Sequence, residues 1–296
     1  MLTILWIMTV AAVVAMGAAL LARHGVAEGA ARVWLERARW DALGCERRAV
    51  AAIDLMLRDA PTAKDVSAAW RTLPRSLTKI APGGDCDIRL EAAGTRLDVN
   101  GATPEMLTNL FDALGLQAES PALVDALEDW IDADDEPRPN GAEREWYEAT
   151  GRIVPRNDWL ANSREIARVR GFEEPRGLDT LLTTEPGRVS LATAPAPVLM
   201  AVPGITRETA EQIVALQDAG TPLNDLLDVT PLISRTSASA LAMRYTDAVR
   251  VTTPDPDAWI VRVRAARGVP AVSVQLDWRV IRIGRRSAVE TTRSRI

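Results

Sequence analysis

The chain has 296 residues, a net charge of −5 at pH 7 and one histidine, His24. This length is enough for one large domain or two modest ones with real cores. The mild acidity gives no electrostatic footprint for nucleic acid. A single histidine leaves no Ser-His-Asp or Cys-His machinery and no His-rich metal site, which excludes zinc catalysis.

The N-terminal run, residues 1–22, contains no charged side chain. As a helix it is about 33 Å long, which is sufficient to cross a bilayer core of about 30 Å. We predict a transmembrane helix rather than a secretory signal, because the basic start is missing and the apolar run is too long. The arginines that follow the run would by themselves place the following residues in the cytoplasm, and basic residues lost upstream of Met1 would weaken this inference. They are Arg23, Arg32, Arg37 and Arg39.

Helical spacing of apolar residues continues beyond the membrane run as far as Pro61. This pattern predicts one long helix, half in lipid and half amphipathic.

Cys45 and Cys86 are the only cysteines. They allow one disulfide in an oxidising compartment, and two free structural thiols are an equal alternative.

Alternating residue patterns predict strands at 86–91, 95–99, 188–191, 246–252, 259–265 and 272–283. Between 103 and about 244 the patterns are helical, so the chain is predicted as strands, a long helical insertion and strands again. The last hairpin is expected to turn at 267–270, and residues 285–296 are expected to be frayed.

A weak internal repeat lies within the helical part. Residues 99–107 precede Leu114-Gly-Leu116, and residues 191–199 precede Val202-Pro-Gly204-Ile205. Each copy predicts a helix, a tight glycine turn and a second helix, which is a helix-hairpin-helix pattern. Such hairpins can bind phosphate, but few basic residues follow either turn, so a packing role is favoured.

Carboxylates crowd around a Pro/Gly turn in residues 129–147. Several follow the end of a predicted helix, where the macrodipole disfavours negative charge, so the cluster needs a cation. Calcium is the first candidate because it accepts oxygen ligands in irregular loops. A solvated acidic loop is the alternative, since the spacing is not that of an EF-hand. The candidate ligands are Asp129, Asp132, Asp134, Asp135, Asn140 and Glu143.

Four segments together resemble the type II secretion system protein K family, the large minor pseudopilins. They are Leu2-Thr-Ile-Leu-Trp6, Val99-Asn-Gly-Ala-Thr-Pro104, residues 129–143, and residues 157–165 with Val169-Arg-Gly171. The third segment is the most distinctive, and the others mainly set order and spacing.

The resemblance implies an α+β fold. In that fold a pilin-like long N-terminal helix packs on a small antiparallel sheet, and a large helical domain of the SAM-like or helix-hairpin-helix kind is inserted, with structural calcium. We divide the chain accordingly. The divisions are 1–22, the transmembrane helix; 23–100, the pilin-like helix and first strands; 101–187, the insert with the calcium loop; 188–250, the second helix-hairpin-helix region; and 251–296, the C-terminal strands and tail.

The resemblance also implies a leader removed by prepilin peptidase, an inner-membrane anchor and a periplasmic soluble domain. Met1 is expected to lie a residue or two inside the mature protein. Thr3 lies where most pseudopilins carry a glutamate, and its lack of a carboxylate implies a tip position with no subunit above. Ala192 lies where the family commonly has asparagine, so a helix cap is expected to be lost there.

The expected function is that of a non-enzymatic tip subunit assembled with small pseudopilins related to proteins I and J and with the major pseudopilin. Helix residues Val26, Val33, Trp34 and Trp40 are the candidate contacts. One rival is a membrane-tethered helix-hairpin-helix protein that binds nucleic acid. The other is a calcium-dependent hydrolase at Asp129, which lacks an evident nucleophile and base.

Overall fold

The computed structural model describes residues 2–73, 86–174, 177–269 and 271–290. Its first element, α1, is a continuous helix at Leu2–Asp59, and it ends just before Pro61, as predicted. Side chains from Thr3 to Val33 are exposed, and burial begins at Ala38. The apolar first half has a mean hydropathy of 2.4 over its best window, with none of that window buried. It fits a single-pass membrane anchor.

Further helices and strands follow in chain order. The helices are α2 (Ala63–Arg71), α3 (Pro104–Ala113), α4 (Ser120–Ile131), α5 (Arg144–Ala149), α6 (Ala196–Met200), α7 (Arg207–Asp218), α8 (Arg235–Met243) and α9 (Tyr245–Val251). The strands are β1 (Cys86–Ala92), β2 (Leu97–Asp98), β3 (Leu182–Thr183), β4 (Val189–Ser190), β5 (Thr252–Thr253), β6 (Ala258–Arg267), β7 (Val272–Ile283) and β8 (Arg286–Glu290). Short 3-10 helices lie at Ser163–Arg168, Leu178–Thr180 and Leu226–Leu232.

One antiparallel sheet, in the order β1-β6-β7-β8, packs against the second half of α1. Strand residues alternate between faces, so Val261 and Val263 join Ile53 of α1 in a shared core. Trp70 and Trp259 close this core with ring centroids 6.4 Å apart. The long helix on a small sheet is the arrangement predicted from the resemblance.

Cys45 and Cys86 form a disulfide that joins α1 to the first residue of β1. Of the two alternatives that the sequence left open, a disulfide or two free thiols, the structure therefore has the disulfide. The bond fixes the sheet to the helix near the point where burial of α1 begins, because Ala38 and Ala42 are the first fully buried residues of that helix.

The helical region leaves the sheet after β1 and returns to it at β6, the neighbouring strand. It is therefore an insertion in the sheet, as expected. Its core is continuous and includes Leu110, Leu127, Leu199 and Ile213. The regions 101–187 and 188–250, which the sequence treats separately, thus share one hydrophobic core.

Strand predictions at 86–91, 259–265 and 272–283 are confirmed, with the first two slightly longer in the structure. Those at 95–99 and 188–191 shrink to the two-residue strands β2 and β4. The prediction of a strand at 246–252 is wrong, because α9 occupies Tyr245–Val251 and only Thr252–Thr253 is extended. Asp247 binds Arg244 at 3.0 Å across one helical turn, which favours the helix.

The expectation that the last residues are frayed is wrong for 286–290 and lies outside the described residues for 291–296. Strand β8 pairs with β7, and the Ser287 N–H donates to Asp54 Oδ1 of α1 at 3.1 Å. The expected turn at 267–270 lies between β6 and β7, with Pro270 outside the described residues.

Both predicted glycine turns are present, and each requires a positive φ of +81° at Gly115 and Gly204. In the first hairpin the Thr103 hydroxyl accepts from the Met106 N–H and caps α3. Pro195 occupies the equivalent position of the second hairpin, and α6 has no side-chain cap. The lost cap is therefore due to Pro195, and the attribution to Ala192 is wrong.

Candidate metal centre

The acidic cluster forms where α4 ends and the chain turns back to α5. Asp129 lies in the last turn of α4, Asp132 is its C-terminal cap residue, and Glu143 immediately precedes α5. One carboxylate oxygen from each lies within 4.8 Å of the others. Asp129 is 0% exposed and Glu143 3% exposed, so the cluster is largely shielded from water.

Gly141 allows the turn to pass close to the buried carboxylate. A Cβ at this position would lie 1.9 Å from Asp129 Oδ2, so any larger residue would displace the acid. The backbone N–H of Arg138 also donates to Asp129 Oδ2 at 3.2 Å. The Pro/Gly turn is thus built around Asp129.

Arg138 supplies the cation at the cluster. Its Nη1 lies 2.7 Å from Asp129 Oδ1 and also contacts Asp132, while Nη2 lies 3.5 Å from Glu128 Oε2. Burial disfavours the charged guanidinium, but the hydrogen bonds that it donates to Asp132 and Asp129 outweigh burial and raise the pKa of Arg138. Arg138 therefore stays charged and holds two of the three clustered carboxylates.

Glu143 is the carboxylate that Arg138 does not satisfy. Both of its oxygens, and Asp132 Oδ1, are buried with no hydrogen-bond partner in the described structure. Burial, followed by the charges of Asp129 and Asp132, raises the pKa of Glu143 to about 7. Buried unpaired oxygens of this kind are costly. The single charge of Arg138 does not balance the clustered carboxylates, and their oxygen atoms suit a hard divalent cation such as calcium.

The other three predicted ligands make different contacts. Asp134 Oδ1 accepts from the Glu136 N–H at 2.9 Å. Asp135 lies 3.6 Å from Arg144 and accepts from Asn157. Asn140 donates to Asp125 at 3.0 Å. The structure thus brings together Asp129, Asp132 and Glu143, and it leaves Asp134, Asp135 and Asn140 around the cluster.

Several residues of this site were not predicted from the sequence. Arg138 and Glu128 join the charged network, and Asn157 donates from Nδ2 to the Asp134 carbonyl. Asn157 has a positive φ of 52°, and its buried Oδ1 has no partner among the described residues. The only sequence signal for Arg138 is its position between two prolines of the turn.

An aromatic wall of Trp130, Trp146 and Tyr147 supports the cluster. The buried Tyr147 ring lies 5.1 Å from Trp130 and 4.9 Å from Trp146, measured between centroids. Its hydroxyl accepts from the Arg170 N–H at 2.9 Å, and burial raises the pKa of Tyr147 to about 12. The wall fixes α5 against α4, and so fixes Glu143 relative to Asp129.

Comparison with known proteins identifies the region that carries this site. Residues 89–179 match the family model for type II secretion system (T2SS) protein K. No curated protein matches the chain.

A solved structure shares the fold over most of the chain. It is a chain of the GspK-GspI-GspJ complex from the enterotoxigenic Escherichia coli type 2 secretion system, with 15% identity and a TM-score of 0.56. The match covers 86% of this chain and 94% of the other. The family match confirms the resemblance inferred from the sequence over residues 89–179, and the solved structure shows that the fold is shared over most of the chain.

Proposed function

We propose that the chain is a non-enzymatic minor pseudopilin that caps the tip of the type II secretion pseudopilus. One span anchors it in the inner membrane, and its soluble domain lies in the periplasm. The proposal rests mainly on the two halves of α1. The apolar first half is wholly exposed, and the second half packs on the sheet. The structural match supports it, since that fold was solved in a GspK-GspI-GspJ complex.

Exposed residues of α1 supply the assembly surface in this proposal. Val26, Val33 and Trp40 are 73%, 51% and 67% exposed, respectively. Trp34 differs because its ring packs on Gly268, where a Cβ would lie 2.7 Å from it, and Arg37 lies 5.0 Å from its centroid. The first three residues are thus free for partner helices, and Trp34 mainly positions the β6–β7 turn.

A membrane-length helix needs such partners. Exposing about 20 apolar side chains to water would cost on the order of tens of kcal/mol at about 25 cal/mol per Å². The helices of the small pseudopilins related to proteins I and J, and of the major pseudopilin below them, would cover it. Prepilin peptidase would process the precursor, and the lack of a carboxylate at Thr3 suits the subunit with none above it.

Calcium is the structural ion that we propose for the acidic cluster. Asp129, Asp132 and Glu143 would hold it, and the unpaired buried oxygens of Glu143 and Asp132 support this assignment. The ion would neutralise the carboxylates and so join the end of α4 to the start of α5. Arg138 competes for the same oxygens, because it already contacts Asp129 and Asp132.

Light scattering of mixed fragments tests the assembly. A fragment beginning at Arg23 keeps all the buried contacts of α1, because these start at Ala38. We expect one defined complex with the soluble domains of two small pseudopilins, weakened by Trp40→Asp or Val33→Asp. Met243→Asp is the control, since Met243 is 77% exposed on α8 in the insert. A persistent monomer, or a large homopolymer of this chain alone, would contradict a one-copy tip.

A further inference from the structure

A cleft of about 760 Å³ lies between the sheet face opposite α1 and the insert. This volume falls in the range of about 300–1,000 Å³ typical of ligand pockets. Its lining is unusual because Ala161 is the one apolar residue in it. Six arginines and three carboxylates line it, although the whole chain has a net charge of −5. The cleft thus concentrates positive charge in an acidic protein.

The sheet wall places like charges side by side. Arg89 of β1 is directly opposite Arg262 of β6, and Arg264 is two residues further along the same face. Like charges that face each other across a strand pair are destabilising. Asp87 and Asp277 lie opposite Arg264 and Arg262, respectively, and compensate the repulsion only in part. This sheet face therefore gains from additional negative charge.

The insert wall adds three more arginines. Arg164 and Arg168 lie at the two ends of the 3-10 helix Ser163–Arg168, and Arg96 lies just before β2. The Ser163 hydroxyl accepts from the Thr184 N–H at 3.4 Å. This hydrogen bond attaches the 3-10 helix to the segment that follows β3. The arginines of both walls thus face the same cleft from rigid elements.

Half of the six arginines already have carboxylate partners. The ion pairs are Arg89–Asp87 at 2.9 Å, Arg96–Glu91 at 2.5 Å, Arg262–Glu91 at 2.7 Å and Arg262–Asp277 at 3.4 Å. Arg164, Arg168 and Arg264 are exposed and form no ion pair with any residue that the structure describes.

We propose that this arginine cleft is a docking site for an acidic peptide segment of a partner protein. Arginine pairs with carboxylates through two parallel hydrogen bonds, and three guanidinium groups are available for this. The absence of aromatic and large apolar residues from the cleft lining disfavours single-stranded nucleic acid, which needs stacking platforms. The cleft lies away from the α1 surface, so this proposal goes beyond the assembly function and does not rest on it.

Fluorescence anisotropy with a labelled hexaglutamate peptide tests the proposal on the full chain in nonionic detergent. The cleft variant is Arg164→Gln, Arg168→Gln, Arg264→Gln. The matched control is Arg207→Gln, Arg235→Gln, Arg250→Gln, which removes the same charge from exposed arginines outside this cleft. Thermal unfolding checks that both variants keep the wild-type fold.

We expect saturable binding to the wild type at low ionic strength that weakens as salt approaches about 0.15 M. The cleft variant should bind about tenfold more weakly, and the control should stay within about twofold of the wild type. Equal binding by the cleft variant, or no saturable binding to the wild type, would overturn the proposal. A single-stranded oligonucleotide of equal charge that binds more tightly, and through the same arginines, would overturn the choice of a peptide.

Discussion

Glu143→Gln should remove a pH dependence from the stability of the metal-free protein. The pKa of Glu143 is about 7, against an ordinary value of 4.5, because the side chain is buried beside Asp129 and Asp132. Between those two pH values the folded state therefore binds more protons at this site than the unfolded state does. The stabilisation by protonated Glu143 is fully present below about pH 4.5. It decreases as the pH rises from 4.5 to about 7, and stability does not depend on this group above that pH.

The magnitude follows from the same pKa. A difference from 4.5 to about 7 corresponds to at most about 3–4 kcal/mol of unfolding free energy. We expect about 2 kcal/mol, because neighbouring carboxylates share the repulsion and Arg138 partly screens it. Urea unfolding from pH 5 to 8 in the presence of a chelator measures this slope. Glu145→Gln is the control, since Glu145 is exposed in the first turn of α5.

Calcium gives the same experiment a second readout. Bound calcium favours the ionised carboxylates, so saturating calcium should abolish the Glu143-dependent slope. It should also stabilise the wild type by about 2.7 kcal/mol at a hundredfold excess over the Kd. Identical pH slopes for the wild type and Glu143→Gln would refute the burial argument. An unchanged slope in millimolar calcium, with no ion found by elemental analysis, would refute the calcium site.

Three further predictions concern the same fold. Replacing Cys45 and Cys86 with Ala should cost about 4 kcal/mol in urea unfolding, because the bond joins residues 41 positions apart; a loss below about 1 kcal/mol would contradict this. Gly141→Ala should cost about 2 kcal/mol and weaken calcium binding in calorimetry, while Gly44→Ala, which has nothing within 4 Å of its Cβ position, should be neutral or stabilising. Gel-shift assays should show no DNA binding through the second hairpin. The Glu208 carboxylate places negative charge there and accepts from Ser234 and Ser237, which disfavours a phosphate. DNA binding that Arg207→Gln weakens would contradict this prediction.

Features that depend on local pattern were predictable from the sequence. Strand β7 has the predicted bounds, and α1 ends where Pro61 requires. The glycine turns at Gly115 and Gly204 were predictable because a tight turn between helices needs a positive φ. In each case the information lies within a few residues of the element.

Features that depend on distant contacts were not predictable. Strand β8 is held by Asp54, which is 233 positions away, so its sequence resembled a frayed tail. The helix α9 contains alternating residues, but tertiary packing buries Ala248 and leaves Val249 exposed on one helical turn. The six arginines of the cleft come from the insert wall and from the strands β1 and β6 that flank the insertion, and no local pattern unites them.

The metal site shows why the cluster was predicted but its exact ligands were not. Carboxylate density identified the loop, yet only the end of α4 and the start of α5 determine which oxygens converge, and they select Asp129, Asp132 and Glu143. Arg138 pairs with one oxygen each of Asp129 and Asp132, and it leaves Asp132 Oδ1 and both Glu143 oxygens without a hydrogen-bond partner among the described residues. A single positive charge therefore stabilises the loop only in part. A divalent ion carries twice that charge and needs several oxygens at once, so the unpaired Glu143 is what gives calcium its advantage over Arg138 at this site.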